Sequence, residues 1–178
     1  LYVQAGDPNL DHTFWGAVEV LPMERPLLKI DAQNPGSDVA AETAAALAAA
    51  HILFTEAGGE YAQYALDNEL LRHAQELFNF AETHRGKYSD SIVSIQDYYN
   101  SWSGYMDELA WGAAWLNRAT GDETYLTKAK GYIEEVGLYK SNWTHNWDDK
   151  AYGTYILLAK LTDDQKYKDA SERHLNAW

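Results

Sequence analysis

Residues 36–54 read GSDVAAETAAALAAAHILF, and the fold is decided here. Eight of the eleven residues from Ala40 to Ala50 are alanine, the best helix former. Ser37 predicts a cap, and Asp38 in the first turn complements the helix dipole. The predicted helix, about 38–54, is apolar nearly all round, which predicts burial on both sides. Its small side chains admit close neighbours. The apolar stretch from Val39 to Phe54 holds Glu42, Thr43 and His51 and reads as too short to span a bilayer.

Outward from this run the chain alternates between two kinds of helix. After Gly58-Gly59 one amphipathic helix is predicted to about His84, with Tyr61, Tyr64, Leu71, Ala74, Phe78 and Ala81 as its apolar stripe. The alternation repeats: 104–119 is apolar nearly all round, and 122–136 is polar and one-sided. Residues 149–161 are apolar again, and a last polar helix follows a capping box of Thr162 with Gln165. The fold class is therefore all-α, with three pairs that each join a buried helix to a surface helix. Such an αα-hairpin array buries its core only against neighbouring hairpins, so three leave an open edge for further hairpins or a partner. Residues 1–37 hold all four prolines and read as loop.

The 178 residues carry 27 acidic and 14 basic side chains, a net charge of −13. That balance excludes nucleic acid and an anionic membrane as partners, since both repel it. Zero cysteines exclude a disulfide framework and thiolate chemistry. Seven Trp and thirteen Tyr with few basic residues point instead to a neutral ligand that is stacked upon. The opening LYVQAGD shows no signal peptide, and its start in mid-pattern predicts a chain that begins inside a longer protein.

The loops before the three buried helices carry His12, Phe14 and Trp15, then Tyr98, Tyr99 and Trp102, then Trp143 and Trp147. In an αα array those loops share one face. Trp15, Tyr99, Trp102 and Trp143 there form a platform for the C–H faces of pyranose rings, although loop tryptophans also plug cores. Trp111 and Trp115, four apart in a buried helix, read as core. Ser103, Gly104, Asp107, Glu108 and distant Asp148 offer carboxylate, hydroxyl and carbonyl oxygens that suit a hard cation such as calcium. Acidic residues at helix N-termini equally serve the dipole. Asp107-Glu108 and Asp148-Asp149 are sequence neighbours, which rarely face each other across a substrate, so no acid–base pair is assigned. His51, His73, His84 and His174 lack a ligand partner at i+4 and read as packed or solvated. Asn142-Trp143-Thr144 is a short glycosylation sequon of the kind that arises by chance.

Several blocks together resemble glycoside hydrolase family 9, the inverting endoglucanases. These are 2–7 (YVQAGD) with Asp11-His12 and Trp15-Gly16, the alanine-rich helix, 85–90 (RGKYSD), 99–105 (YNSWSGY) with Asp107-Glu108, and 147–150 (WDDK). The resemblance implies an (α/α)6 barrel of six helical hairpins, of which this chain supplies about three from the middle of a single catalytic domain. It implies hydrolysis of internal β-1,4-glucosidic bonds, with cellulose or another β-1,4-glucan as partner alongside the remaining segments of that domain, and a secreted, extracellular enzyme. His12, Trp15, Tyr99, Trp102 and Trp143 would line the glucan cleft. Ser103, Gly104, Asp107, Glu108 and Asp148 would match a structural calcium site. The family's catalytic base and acid lie in motifs this sequence does not contain, so no catalytic residue is carried over and the chain alone is expected to be inactive. The alternative is a non-catalytic glucan-binding or structural helical-hairpin fragment.

Overall fold

The computed structural model of the chain describes residues 1–137 and 143–176. A two-stranded antiparallel ribbon, β1 (Tyr2–Ala5) and β2 (Leu27–Lys29), flanks a short helix α1 (Pro8–Thr13). The long helix α2 (Ser37–Ala57) follows, then α3 (Gly59–Asp67) and α4 (Leu70–Thr83). Two single turns, α5 (Tyr88–Ser91) and α6 (Gln96–Tyr99), lead to α7 (Met106–Thr120) and α8 (Glu123–Val136). The described chain closes with α9 (Ala151–Thr162) and α10 (Gln165–Asn176).

Helix α2 packs against both α4 and α7, α7 against α8 and α9, and α9 against α10. So α2, α7 and α9 form an inner row, and α4, α8 and α10 an outer one. The seam of small residues expected from sequence is real: Ala40, Ala41, Ala44 and Ala48 are fully buried against this packing. Backbones meet there. A Cβ added to Gly112 in α7 would lie 2.9 Å from the Ala41 carbonyl oxygen and 3.1 Å from the Phe78 ring.

The structure corrects several local expectations. Helix α2 is 21 residues long, so its length does not argue against a membrane span. It is buried on one flank only. Ala46 is exposed, and Thr43, Leu47 and Ala49 are half-buried, Thr43 and Leu47 beside Leu77 and Phe80 of α4. The single helix read to His84 breaks at Asn68-Glu69, where Glu69 adopts a left-handed conformation (φ 49°). The break takes Tyr61 and Tyr64 off the core stripe and leaves both exposed. The Ser37 hydroxyl does not cap α2; it donates to the Ala81 carbonyl (2.8 Å) and ties α2 to the end of α4. Asp164, not Thr162, accepts the Lys166 N–H (3.0 Å) at the start of α10. The Thr162 hydroxyl instead donates to the Leu158 carbonyl (2.8 Å), because one position serves as the end of the preceding helix. The region read as loop over 1–37 contains β1, β2 and α1, the last capped by the Asp7 carboxylate.

Candidate functional site

The N-terminal ends of α2, α7 and α9 meet at one end of the molecule, and the loops entering them are tied together by buried carboxylates. Asp38, in the first turn of α2, accepts hydrogen bonds from the Tyr88 N–H (3.1 Å to each oxygen), the Val39 N–H (2.9 Å) and the Ser101 hydroxyl (2.5 Å). Burial pushes the Asp38 carboxyl up to about 6, although these donors pull the other way. The Tyr88 hydroxyl donates to the Tyr99 carbonyl (2.7 Å), and the Ser101 N–H to the Ser89 hydroxyl (3.1 Å). The segment that presents Tyr99 and Trp102 is thus hung from α2 and α5.

The 143–150 loop is fastened to the same segment. The Asp148 carboxylate accepts the Trp102 N–H (2.9 Å) and the Ser103 N–H (3.1 Å), and the Ser103 hydroxyl donates to the Asp148 carbonyl (2.5 Å). Lys150 is buried, its ammonium 3.0 Å from Glu42 and donating to the Asn146 carbonyl (2.5 Å). Its N–H donates to Asp107 (2.7 Å), joining α9 to α7.

These ties bring aromatic rings together. Trp102, Trp143 and Trp147 line a cavity of about 640 Å³ with Ser103, Asn146 and Asp148 on its polar side. Tyr99 meets Trp147 edge to face, ring centres 5.6 Å apart. Trp102 and Trp143 are 76% and 73% exposed, so their faces are offered to solvent rather than to the core. His12 stands in the last turn of α1, its ring stacked on Tyr98 at 3.8 Å and its Nδ1 2.7 Å from the Pro8 carbonyl. Trp15, on the loop after α1, is fully exposed. Among the described residues no ring contact joins His12 or Trp15 to the Tyr99–Trp147 group. Trp111 and Trp115 pack against the core as read, with Trp111 also against His145 (5.2 Å). Asn142 of the sequon lies outside the described residues.

Asp107 and Glu108, in the first turn of α7, are buried and adjacent. Asp107 Oδ1 and Glu108 Oε2 are both buried without a hydrogen-bond partner. Desolvation raises both carboxyls, Glu108 the more strongly because the charge of Asp107 adds to it. Among the described residues, no three His, Cys, Asp or Glu side chains are grouped so as to hold a metal ion. The Asp148 carboxylate is turned to the backbone N–H groups, leaving its carbonyl beside the Ser103 hydroxyl.

Sequence reasoning missed the scaffold of this site more than its surface. Trp147 was legible as a loop aromatic but not as a partner of Tyr99. Tyr98 beneath His12, and Asp38 behind Tyr99 and Trp102, depend on contacts across 86 and 63 residues of chain that no local pattern signals.

The profile of glycosyl hydrolase family 9 matches residues 1–178. The chain belongs to this family. Endoglucanase B of Cellulomonas fimi is 50% identical over 184 residues, an alignment covering 100% of this chain and 17% of that protein. The solved endoglucanase of the termite Nasutitermes takasagoensis superposes with a TM-score of 0.89 at 50% identity, covering 99% of this chain and 39% of the termite chain. The cellulase Cel9M of C. cellulolyticum, solved in complex with cellobiose, superposes with a TM-score of 0.85 at 35% identity, covering 100% of this chain and 40% of its own. The chain thus spans well under half the length of each family 9 relative it matches here. Its fold is of the family's (α/α)6 type, with three hairpins supplied by α2–α4, α7–α8 and α9–α10.

Proposed function

We propose that the chain is the central part of an endo-β-1,4-glucanase domain that hydrolyses internal bonds of cellulose or a similar β-1,4-glucan with inversion. The observation that carries this reading is the exposed aromatic wall of Tyr99, Trp102, Trp143 and Trp147 around a 640 Å³ cleft in a family 9 chain. Flat aromatic faces suit the C–H faces of glucose rings, and the polar edge of Asn146 and Ser103 suits their hydroxyls. His12 and Trp15 extend the wall along a bound chain. The open flank of α2 and α4, with a cavity of about 530 Å³ lined by Leu47, Leu77 and Phe80, is where a further hairpin of the domain packs.

An inverting hydrolase needs one carboxylate to activate water and one carboxylic acid to protonate the leaving oxygen, ~6.5–9.5 Å apart. No acid–base pair is assigned among the residues of this chain, so on this reading the pair comes from the rest of the domain and this chain positions the glucan. A polymer outside cells as substrate carries with it a secreted protein. The test is to follow a soluble cello-oligosaccharide with the full-length protein. Hydrolysis that first releases the α-anomer is expected. Release of the β-anomer, or retention of the glucan without cleavage, would sink the reading. In the same protein Trp147→Ala should weaken cellotetraose binding roughly tenfold, measured by calorimetry, since it removes a stacking face and the support of Tyr99.

Calcium belongs to the same proposal. Asp107 Oδ1 and Glu108 Oε2 are buried acceptors with no donor, and hard oxygen donors from Ser103, Gly104 and Asp148 stand in the segments joined to them. A divalent cation would offset the desolvation and the Asp107 charge that raise Glu108, and would clip α7 to the 143–150 loop. Chelation of the full-length protein should lower its Tm by about 5 °C, with recovery on adding calcium. An unchanged melting curve would defeat the assignment.

A further inference from the structure

Apart from Leu28 in β2, the segment bearing Trp15 has no anchor in the core. From residue 9 to residue 29 no side chain is buried. Beneath it lies a cavity of about 440 Å³ lined by Asp11, Phe14, Gly16, Val18, Leu21 and Arg25. Apolar packing therefore does not fix where this stretch runs.

Beside the contacts of Asn9 and His12 with Tyr98, one side chain ties it to β1. The Arg25 guanidinium donates from Nη1 to Asp11 Oδ1 (2.6 Å) and from Nη2 to Asp11 Oδ2 (2.9 Å), a two-pronged match of planar fork to carboxylate. Its Nη2 also donates to the Ala5 carbonyl (2.8 Å) at the end of β1. The guanidinium lies flat against Gly6, where a Cβ would meet its Cζ at 2.9 Å. Gly6 has φ +87° and its N–H donates to the Pro26 carbonyl (2.9 Å), so the backbone there is shaped to receive the side chain. Asp11 immediately precedes His12, which stacks on Tyr98. Arg25 thus closes residues 11 to 25 into a loop whose two ends are β1 and the His12 turn, with Trp15 inside it.

We propose that Arg25 is a positioning residue for glucan binding, fixing the Trp15 segment relative to His12 through its fork on Asp11. The proposal rests on the glucanase reading. It predicts an effect on affinity rather than on bond breaking, because the residues held are stacking and hydrogen-bonding groups and not the acid or base. A lysine cannot replace the fork, since its point charge makes neither the paired bonds nor the third bond to Ala5.

The test uses the full-length protein with cellotetraose. Arg25→Gln and Arg25→Lys should each raise KM and Kd roughly tenfold and leave kcat within about twofold, as expected for a displaced binding wall. Tm should change by less than about 3 °C, since the pair is solvent-exposed and surface ion pairs contribute little. The double exchange Arg25→Asp with Asp11→Arg should recover at least part of the affinity, which a purely local structural role for either residue would not give. Variants with wild-type KM and Kd would overturn the proposal alone. Loss of kcat in proportion to a fall in Tm would also overturn it, in favour of a general structural role. A wild-type protein that neither binds nor cleaves cellotetraose would overturn the glucanase reading together with this one.

Discussion

Replacing Asp38 by alanine should destabilise the protein by about 3–5 kcal/mol at pH 7, the range found when a buried charged acceptor is removed from its partners. Three donors lose their acceptor at once: the Tyr88 and Val39 N–H groups and the Ser101 hydroxyl. The same change frees the segment carrying Tyr99 and Trp102, so on the proposed glucanase reading glucan affinity should fall even in the folded fraction. Asp38→Asn keeps the shape and part of the hydrogen bonding, and should lie between the two. Its use is in reading pH. Burial lifts the folded Asp38 carboxyl from an ordinary 3.8 to about 6, so between those values the folded state holds more proton than the unfolded one. The proton-linked part of this group's contribution is fully present below about 3.8 and is lost as pH rises through about 6, by about 3 kcal/mol in all, while its hydrogen bonds persist in the ionised form. Denaturant titrations from pH 4 to 7 should therefore show wild type losing about 2 kcal/mol more stability than Asp38→Asn. Parallel curves would show that Asp38 ionises with an ordinary carboxyl.

Gly112→Val should be comparably damaging, at about 3 kcal/mol. The contact it disturbs is between helix backbones. The Ala41 carbonyl would stand 2.9 Å from the new Cβ, and a backbone atom cannot turn aside as a flexible side chain would. Relief requires α2 and α7 to separate, which strips contact from Ala40, Ala44 and Phe78 in the same seam. The helix propensity gained on leaving glycine, below ~1 kcal/mol, does not offset this. Urea unfolding reads the result. A change of less than about 1 kcal/mol would mean that the two helices are not in backbone contact.

The helices were legible because their signals are local. Alanine density marks α2, and the swing between all-round and one-sided apolar patterns marks inner and outer rows. The failures share a cause. No Gly or Pro stands within a few residues of Asn68-Glu69, yet Glu69 is left-handed and α3 turns away. Ser37 has the chemistry of a cap, but the Ala81 carbonyl across 44 residues is the acceptor its hydroxyl takes. In the site, the stacking residues could be named from residue type and loop position. The groups behind them, Asp38, Lys150 and Arg25, are ordinary charged residues until the fold brings their partners within 3 Å.

The joints that build the cleft close long stretches of chain: Ser101 to Asp38 spans 63 residues, and Trp102 to Asp148 spans 46. Loop-closure entropy grows only with the logarithm of length, about 0.6 kcal/mol for each doubling. The whole of α3 and the break at Glu69 lie inside the first of these closures. Lengthening or trimming an outer connection by a turn therefore changes the entropy of forming the cleft by about a tenth of a kcal/mol. The outer layer can vary in length while the geometry of the aromatic cleft stays as it is.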